Sequence, residues 1–579
     1  MDDNASIVWD NASAIREAGA AGLEIECSVG YRWQWVAGRM ILRQINSGQI
    51  SRILAIDGIN PAATNDTTEG FVVGTRWETV DGTVYVCTDS AEDAAVWEPN
   101  LFGGSATILT GTDPTLEVYM GNIPASWQEG DANWTGLVLG TSVGSIGSQA
   151  FYCSGFTGSL TIPNSVTTIG DSAFSVCNGF TGSLTIGSSV TNIGYESFKD
   201  CSGFTGSLVI PNSVTSMGIG AFSGCSSFDG SLTIGSSVTN IDEYSFLNCS
   251  GFTSSLTIGN SVTTIGAAAF SGCGGFTGSL TIPNSVTSIG AEAFRNCSNL
   301  VGDLVIPNSV TSIGASVFES CFGFTSLTIG SSVTSIGHYA FQYCSGFTGS
   351  LVIPNSVTSI GLSAFRGCVG FTGSVTIPAS TINIESSALV GCSGITSLLA
   401  NAGNPNYSSL SGVLFNKLQT VLAIYPNGKV GAYTIPSGVI VINSNAFQSC
   451  SNLTGALTIP NTVTSIGYES FKDCSGITSL NLGSSVTTIG NSVFSGCTGI
   501  TGSLAIPSSL TYIGNSAFRN CTGITTLQCH VTRTLMRNAS NCLQGSGVTT
   551  LHARASDGTW TAGADTIGGK ALTVIKDLT

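Results

Sequence analysis

Ser279-Leu280-Thr281-Ile282-Pro283-Asn284-Ser285-Val286-Thr287-Ser288-Ile289-Gly290-Ala291-Glu292-Ala293-Phe294-Arg295-Asn296-Cys297 is one period of a pattern that fills most of this 579-residue chain. Leu280 and Ile282 alternate with Thr281, the period of a half-buried strand. Pro283 lacks an N–H and ends that strand; Gly187, Gly235 and Gly330 take its place in sister periods. Val286 and Ile289 read as the inward positions of a second short extended segment. Gly290 is expected to supply a left-handed corner. Asp242 and Asn443 replace it in two periods, both types that tolerate that conformation, and Glu385 in a third. Ala293, Phe294 and Cys297 then predict a tight helical or 3-10 turn whose Phe fills the interior.

The period is set by cysteine. Cys153, Cys177, Cys201, Cys225, Cys249, Cys273, Cys297 and Cys321 are spaced by 24, and Cys344, Cys368, Cys392, Cys450, Cys474, Cys497 and Cys521 continue the series. Self-similarity at this period is the mark of a solenoid. No single coil can bury its apolar edge alone, so coils stack and share columns of Leu, Ile, Val, Phe and Cys. About fifteen coils at ~4.8 Å each make a rod on the order of 70 Å long. The fold class expected is therefore a β-rich repeat solenoid with short helical or 3-10 corners, preceded by a small β-rich N-terminal domain.

The string L-x-I-P-x-S-V-T-S-I-G-x-x-A-F-x-x-C resembles the BspA-like, or Treponema-type, leucine-rich repeat over about residues 137–527. Asn404-Pro405-Asn406-Tyr407, then Gly412-Val413-Leu414-Phe415-Asn416-Lys417 to Tyr425-Pro426, resembles the longer hairpin variant of that family. It accounts for the gap from Cys392 to Cys450. The domains expected are a head over 1–100, a linker and N-terminal cap over 101–136, the solenoid over 137–527 with a hairpin-type insertion at 400–430, and a C-terminal cap over 528–579. Proteins with this repeat are often surface adhesins, so the resemblance implies adhesion.

Composition shifts near residue 135. The first 135 residues hold nineteen acids against six arginines and seven of the eight Trp. The rest is nearly neutral, and charged residues are only 9% of the chain against about 25% in typical domains. Without clustered Lys and Arg to neutralise phosphates, no nucleic-acid partner is expected. No apolar run approaches ~18 residues, so no membrane insertion is expected. Within the head, Asp81-Gly82 between alternating runs predicts a tight hairpin, and residues 31–45 read as strands. The spacing Gly74-Thr75-Arg76-Trp77, Tyr85-Val86-Cys87, Ala95-Val96-Trp97 resembles a small β module of phage tail-fibre and other virion appendage proteins. Met1-Asp2-Asp3-Asn4 lacks a basic and apolar leader, so no secretory signal is expected.

Catalytic chemistry finds little purchase. The repeat cysteines lack the C-x(2–4)-C pairing of zinc sites. They are expected to form an inward column of reduced thiols, although stacked coils also place them within disulfide range. Cys27, Cys87, Cys529 and Cys542 lie off that column with no assignable pairing. His338, His530 and His552 have no triad or metal spacing. Paired acids such as Glu196 and Asp200, Asp242 and Glu243, or Glu469 and Asp473 are the residue types of a glycosidase. However, Tyr195 to Cys201 recurs verbatim as Tyr468 to Cys474, which is repeat amplification. No catalytic, cofactor or metal residue is assigned. The candidate ligand surface is an outward column of Thr161, Thr185, Thr233, Thr257, Thr281 and Thr328, followed by Thr376, with Val209, Val305 and Val352 as substitutes. The variable residues around each Phe join it: Tyr195, Tyr244, His338, Tyr339, Tyr343, Tyr468 and Tyr512. The function expected is a non-enzymatic recognition appendage of a phage or virus that binds a cell-surface glycan or protein through the solenoid. Its head would join other assembly proteins, and self-association is compatible with this. A passive spacer and a bacterial surface adhesin are the alternatives.

Overall fold

The computed structural model describes residues 135–578 in full, apart from 555 and 557, together with Asn122, Ile123 and the backbone of strand segments between residues 12 and 121. Those earlier segments include an antiparallel meander from Ala12–Ala18 to Gln49–Asp57. They also include the hairpin read from Asp81-Gly82, in which Arg76–Glu78 pairs with Val84–Val86 and Trp77 lies opposite Tyr85. The remaining head and linker positions, and the side chains of Cys27 and Cys87, lie outside the described residues.

The rest is the expected solenoid. Its first parallel pairing joins Thr115–Tyr119 to Gly136–Leu139, and its last joins Thr550–Arg554 to Lys570–Leu578, which folds back on Gly563–Ile567. Most coils contribute two strands. The second is only two residues long, as in Thr264–Ile265 on Ser288–Ile289, yet its register is kept from coil to coil. Period-2 alternation explains the first strand: Leu208 and Ile210 are buried and Val209 between them is exposed. At the corner, backbone amides donate to carbonyls of the next coil, as Phe270 does to Ala293 and Gly272 to Arg295, each at 2.8 Å. A coil therefore satisfies its backbone groups on its neighbours.

The corner differs from a helix or 3-10 turn. Its i to i+3 bonds, such as Cys297 N to Phe294 O at 3.1 Å, are separated by left-handed residues. Glu292 and Asn296 both have φ of 59°. The corner is thus a run of tight turns. Gly290 is not left-handed, and neither are Asp242, Asn443 or Glu385. A Cβ on Gly290 would lie 2.5 Å from the Ala267 amide nitrogen of the preceding coil. The glycine is there because two backbones approach closely, and the positive φ falls two residues later.

Two aromatic columns fill the interior. Phe174, Phe198, Phe222, Phe246, Phe270 and Phe294 stack with centroids 5.1–5.4 Å apart. A second column, through Phe204, Phe228, Phe252 and Phe276, runs alongside at 5.1–5.9 Å. The thiols form a third. Cys201 donates to Phe174 O at 2.9 Å, and Cys225, Cys273 and Cys297 repeat the bond at 3.0–3.1 Å. Burial pushes the Cys201, Cys225 and Cys297 thiols up, and those of Cys321 and Cys392 to about 12, which keeps them protonated and unreactive. Cys153 is the exception. It follows Phe151 by two residues where Cys177 follows Phe174 by three, so it falls on a left-handed corner position and is exposed. Ser154 takes its place and bonds Phe151 O at 2.7 Å. Off the column, Cys529 and Cys542 are also buried.

Candidate functional site

Stacking identical coils turns each sequence position into a column, so the surface is a set of parallel stripes. The first-strand face carries the Thr column: Thr161 lies opposite Thr185, Thr233 opposite Thr257, and Thr328 opposite Val305. Thr161, Thr185, Thr257, Thr281, Thr328 and Thr376 are exposed and Thr233 is half-buried. Their hydroxyls have no protein partner among the described residues.

A second Thr column, one the period-2 reading passed over, behaves differently. Thr191 Oγ1 donates to Thr167 O at 3.1 Å, Thr287 to Thr263 O at 3.2 Å and Thr358 to Thr334 O at 3.0 Å. These hydroxyls are committed to neighbouring coils and reinforce the stack. The Thr161 column, by contrast, leaves its hydroxyls facing outward.

The corners hold most of the solenoid's charge and tyrosine. Tyr195 Oη and Lys199 Nζ both donate to Glu196 Oε1, at 2.9 and 2.8 Å. Tyr468, Lys472 and Glu469 reproduce this at 2.8 Å each, and Gln448 adds a bond to Glu469 Oε2 at 2.7 Å. The hydrogen bond to Glu196 raises the Tyr195 phenol and the Lys199 ammonium above their ordinary values. Each Glu is thus occupied by a cation and a phenol. Asp200 lies over Gly224 of the next coil instead of facing Glu196 across a cleft. Burial raises the Asp242 carboxyl, with the neighbouring Glu243 adding to it.

Tyr244 stands alone at its corner. His338, Tyr339 and Tyr343 share one coil: His338 Nδ1 accepts from Leu362 N at 2.9 Å and lies 3.8 Å from Glu385 Oε2, and the Tyr343 ring lies along Gly367. Tyr512 is not with them. It belongs to the second-strand face, where Tyr512–Ile513 pairs with Thr488–Ile489. His552 bonds Asp577 at 2.7 Å, and no His, Cys, Asp or Glu group among the described residues is arranged to hold a metal ion.

Apolar side chains interrupt the stripes in several places, among them Val209 and a set over residues 301–369. Val301, Val305, Phe322, Val352 and Val369 are all exposed, Phe322 at 47% and Val352 at 67%. They occupy Thr or Ser positions of the repeat: Thr281 and Thr328 for Val305, Ser298 and Ser345 for Phe322, Thr328 and Thr376 for Val352. Tyr343, also exposed, lies in the same coils. Sequence reading noted two of these valines but not the cluster. Its signal is the loss of the polar residue at several columns within four successive coils.

The repeat that carries these stripes matches the model of the BspA type leucine rich repeat region, in six copies, over residues 144–421 and 423–547. The chain belongs to the BspA-type leucine-rich repeat family. Among solved structures, this BspA-type chain is similar to a leucine rich cell surface protein from Faecalibacterium prausnitzii A2-165, at 24% identity over 81% of this chain and 98% of that one, with a TM-score of 0.45. It is similar as well to a leucine-rich repeat protein from Bacteroides ovatus ATCC 8483, at 22% identity over 74% and 94% of the two chains, with a TM-score of 0.40. A third is the pneumococcal vaccine antigen PcpA, at 16% identity over 83% and 88%, with a TM-score of 0.37. Comparison with curated sequences gives no match. In this BspA-type solenoid the invariant positions build the stack. The departures from the repeat lie at residues 301–369 and at the tyrosine corners, among other places.

Proposed function

We propose that this BspA-type solenoid is a non-enzymatic recognition element that binds a cell-surface glycan or protein through its first-strand face and adjoining corners. One observation carries the reading: the exposed apolar group of Val305, Phe322, Val352 and Val369 stands where the repeat has Ser or Thr. Nothing in stacking calls for apolar side chains there, and exposed apolar side chains recurring over four successive coils support an interaction surface. Tyr343 beside it supplies an aromatic ring of the kind favoured in recognition surfaces. The salt-bridged state of Glu196 and Glu469 supports a role without catalysis.

In its finer form, the proposal places the protein on a phage or virus particle as a tail-fibre-type appendage, with the N-terminal region joining other assembly proteins. The resemblance of Gly74 to Trp97 to appendage modules supports it, together with the hairpin pairing of Trp77 and Tyr85. A bacterial surface adhesin would use the same solenoid face.

The test restores the repeat: Val305→Thr, Phe322→Ser, Val352→Thr and Val369→Ser together, in the full chain. Binding to host cells and to a glycan array is then measured against the unaltered protein. Loss of binding with an unchanged circular dichroism spectrum is expected. Retained binding moves the site elsewhere, and no binding by either protein leaves the spacer role.

A further inference from the structure

A second-strand ladder, a Phe column and the thiol column stop together at one place. The second-strand ladder that passes through Ser288–Ile289 ends at Asn383–Ile384, and the next begins inside the hairpin and continues through Val441–Ile442 to Tyr512–Ile513. One Phe column closes at Phe365, where Leu389 follows, and restarts as Tyr425 on Phe447 at 4.7 Å. The thiol column closes with Cys392 on Phe365 O at 3.1 Å. Cys450 then reaches only 3.9 Å from Tyr425 O, and the bond tightens again to 2.9 Å at Cys474.

The hairpin explains the break. Tyr407–Leu410 pairs antiparallel with Val413–Asn416, which pairs antiparallel with Val421–Ile424. Val413, Leu414 and Phe415 are all fully buried, although successive side chains of a strand point to opposite faces. Leu414 belongs to the apolar core that runs from Ile123 to Leu398, whereas Val413 and Phe415 belong to a second core that runs on to Val574. Val421–Ile424 divides likewise, with Ile424 in the first core and Leu422 in the second.

Few bonds tie the hairpin region to the coils before it: the backbone ones from Leu398 N to Gly412 O and from Gly428 N to Ile395 O, both 2.8 Å, and a set of side-chain ones. Asn404 Nδ2 donates to Pro378 O and Thr381 O at 2.6 and 2.8 Å, while its Oδ1 accepts from the amides of Asn406 and Tyr407 at 2.8 Å each. Asn427 accepts from Gly391 N at 3.1 Å and donates to Gln448 O at 2.7 Å.

We propose that the hairpin is an internal cap, a two-faced septum that divides the solenoid into two cooperative bodies able to open independently. Coils couple through nearest-neighbour interfaces. A septum that interrupts the Phe and thiol columns and leaves a few individual bonds in their place weakens that coupling at this joint. Coils on one side then unravel under heat, denaturant or pulling while the other side stays folded.

The test is hydrogen exchange of the full chain in mild denaturant, comparing Leu414→Ala with Phe415→Ala. Although adjacent, they should act in opposite directions along the rod. Leu414→Ala lowers protection at least about tenfold in the coils before the hairpin, around residues 359–398. Phe415→Ala does so in the coils after it, around residues 441–474. Phe270→Leu and Phe494→Leu, far from the hairpin, serve if either alanine variant melts the hairpin itself. Each should lower protection only on its own side. Equal loss on both sides from either pair overturns the proposal.

Discussion

Gly290→Ala and Gly302→Ala separate two reasons for a glycine. Gly302 has φ of +82°, and a Cβ there would meet nothing closer than Ser279 Cβ at 3.8 Å. Its substitution costs the left-handed penalty of an L-residue, roughly 1 kcal/mol. Gly290 has ordinary φ, but its Cβ would meet Ala267 N at 2.5 Å and Gly266 C at 2.7 Å, both backbone atoms that cannot rotate away. Restoring contact to about 3.4 Å means parting the coils by nearly 1 Å. The rung between Gly290 N and Ile265 O, now 2.8 Å, is then lost, and with it the neighbouring bond from Thr287 N to Thr263 O. Two rungs at ~1 kcal/mol each and an overpacking cost of ~1–2 kcal/mol give about 3–4 kcal/mol. The chain already contains a related case. Asp242 occupies this position, and no ladder pairing joins its strand, Asn240–Ile241, to Ser216–Met217. Asn443 keeps its rung at 3.0 Å on Leu422 of the hairpin, a neighbour of different shape, while Glu385 keeps one at 2.9 Å on Ile360 of an ordinary coil, a position where the backbone has made room for a side chain. The assay is urea unfolding of the full chain, with hydrogen exchange of residues 263–291 as the local readout. If Gly302→Ala costs as much as Gly290→Ala, close approach is not the reason for Gly290 and the argument fails.

Thiol labelling at pH 8 with peptide mapping should modify Cys153 in the native protein and leave Cys201 through Cys521 untouched until denaturant is added; early labelling of Cys321 would contradict its burial. Asn404→Ala strands the Pro378 and Thr381 carbonyls and two amides, and should cost about 2–4 kcal/mol in denaturant unfolding. Asp565, 4% exposed, is bonded by Arg533 and Arg537 at 2.7 Å each, and they lower its carboxyl to about 2. A depressed folded-state value stabilises above the unfolded value near 4 and the effect fades as pH falls from about 4 to 2. The pair should therefore contribute at most roughly 2 kcal/mol at neutral pH. Asp565→Asn should remove that acid-range slope for the amides of Arg533–Asn538, and an unchanged slope would count against the linkage.

Much of the architecture is written in the period itself. Leu280, Ile282, Val286, Ile289, Phe294 and Cys297 recur at fixed spacing, and inward burial of all six follows from strand alternation and the need to cover apolar edges. The sequence alone therefore determined a stacked coil with a greasy axis and a thiol column, and the family that carries it. The exposure of Cys153 is written there too, in its spacing of two residues from Phe151 where Cys177 stands three from Phe174. Two things needed the tertiary structure, each because it depends on distance between coils rather than spacing along one. The role of Gly290 is fixed by the backbone beneath it. The partition of the core by Val413, Leu414 and Phe415 appears only once both faces of that strand have a neighbour. The surface divides the same way: Thr161 and Thr191 look alike in sequence, and only the stacked coils decide that one hydroxyl is used internally and the other is left facing outward.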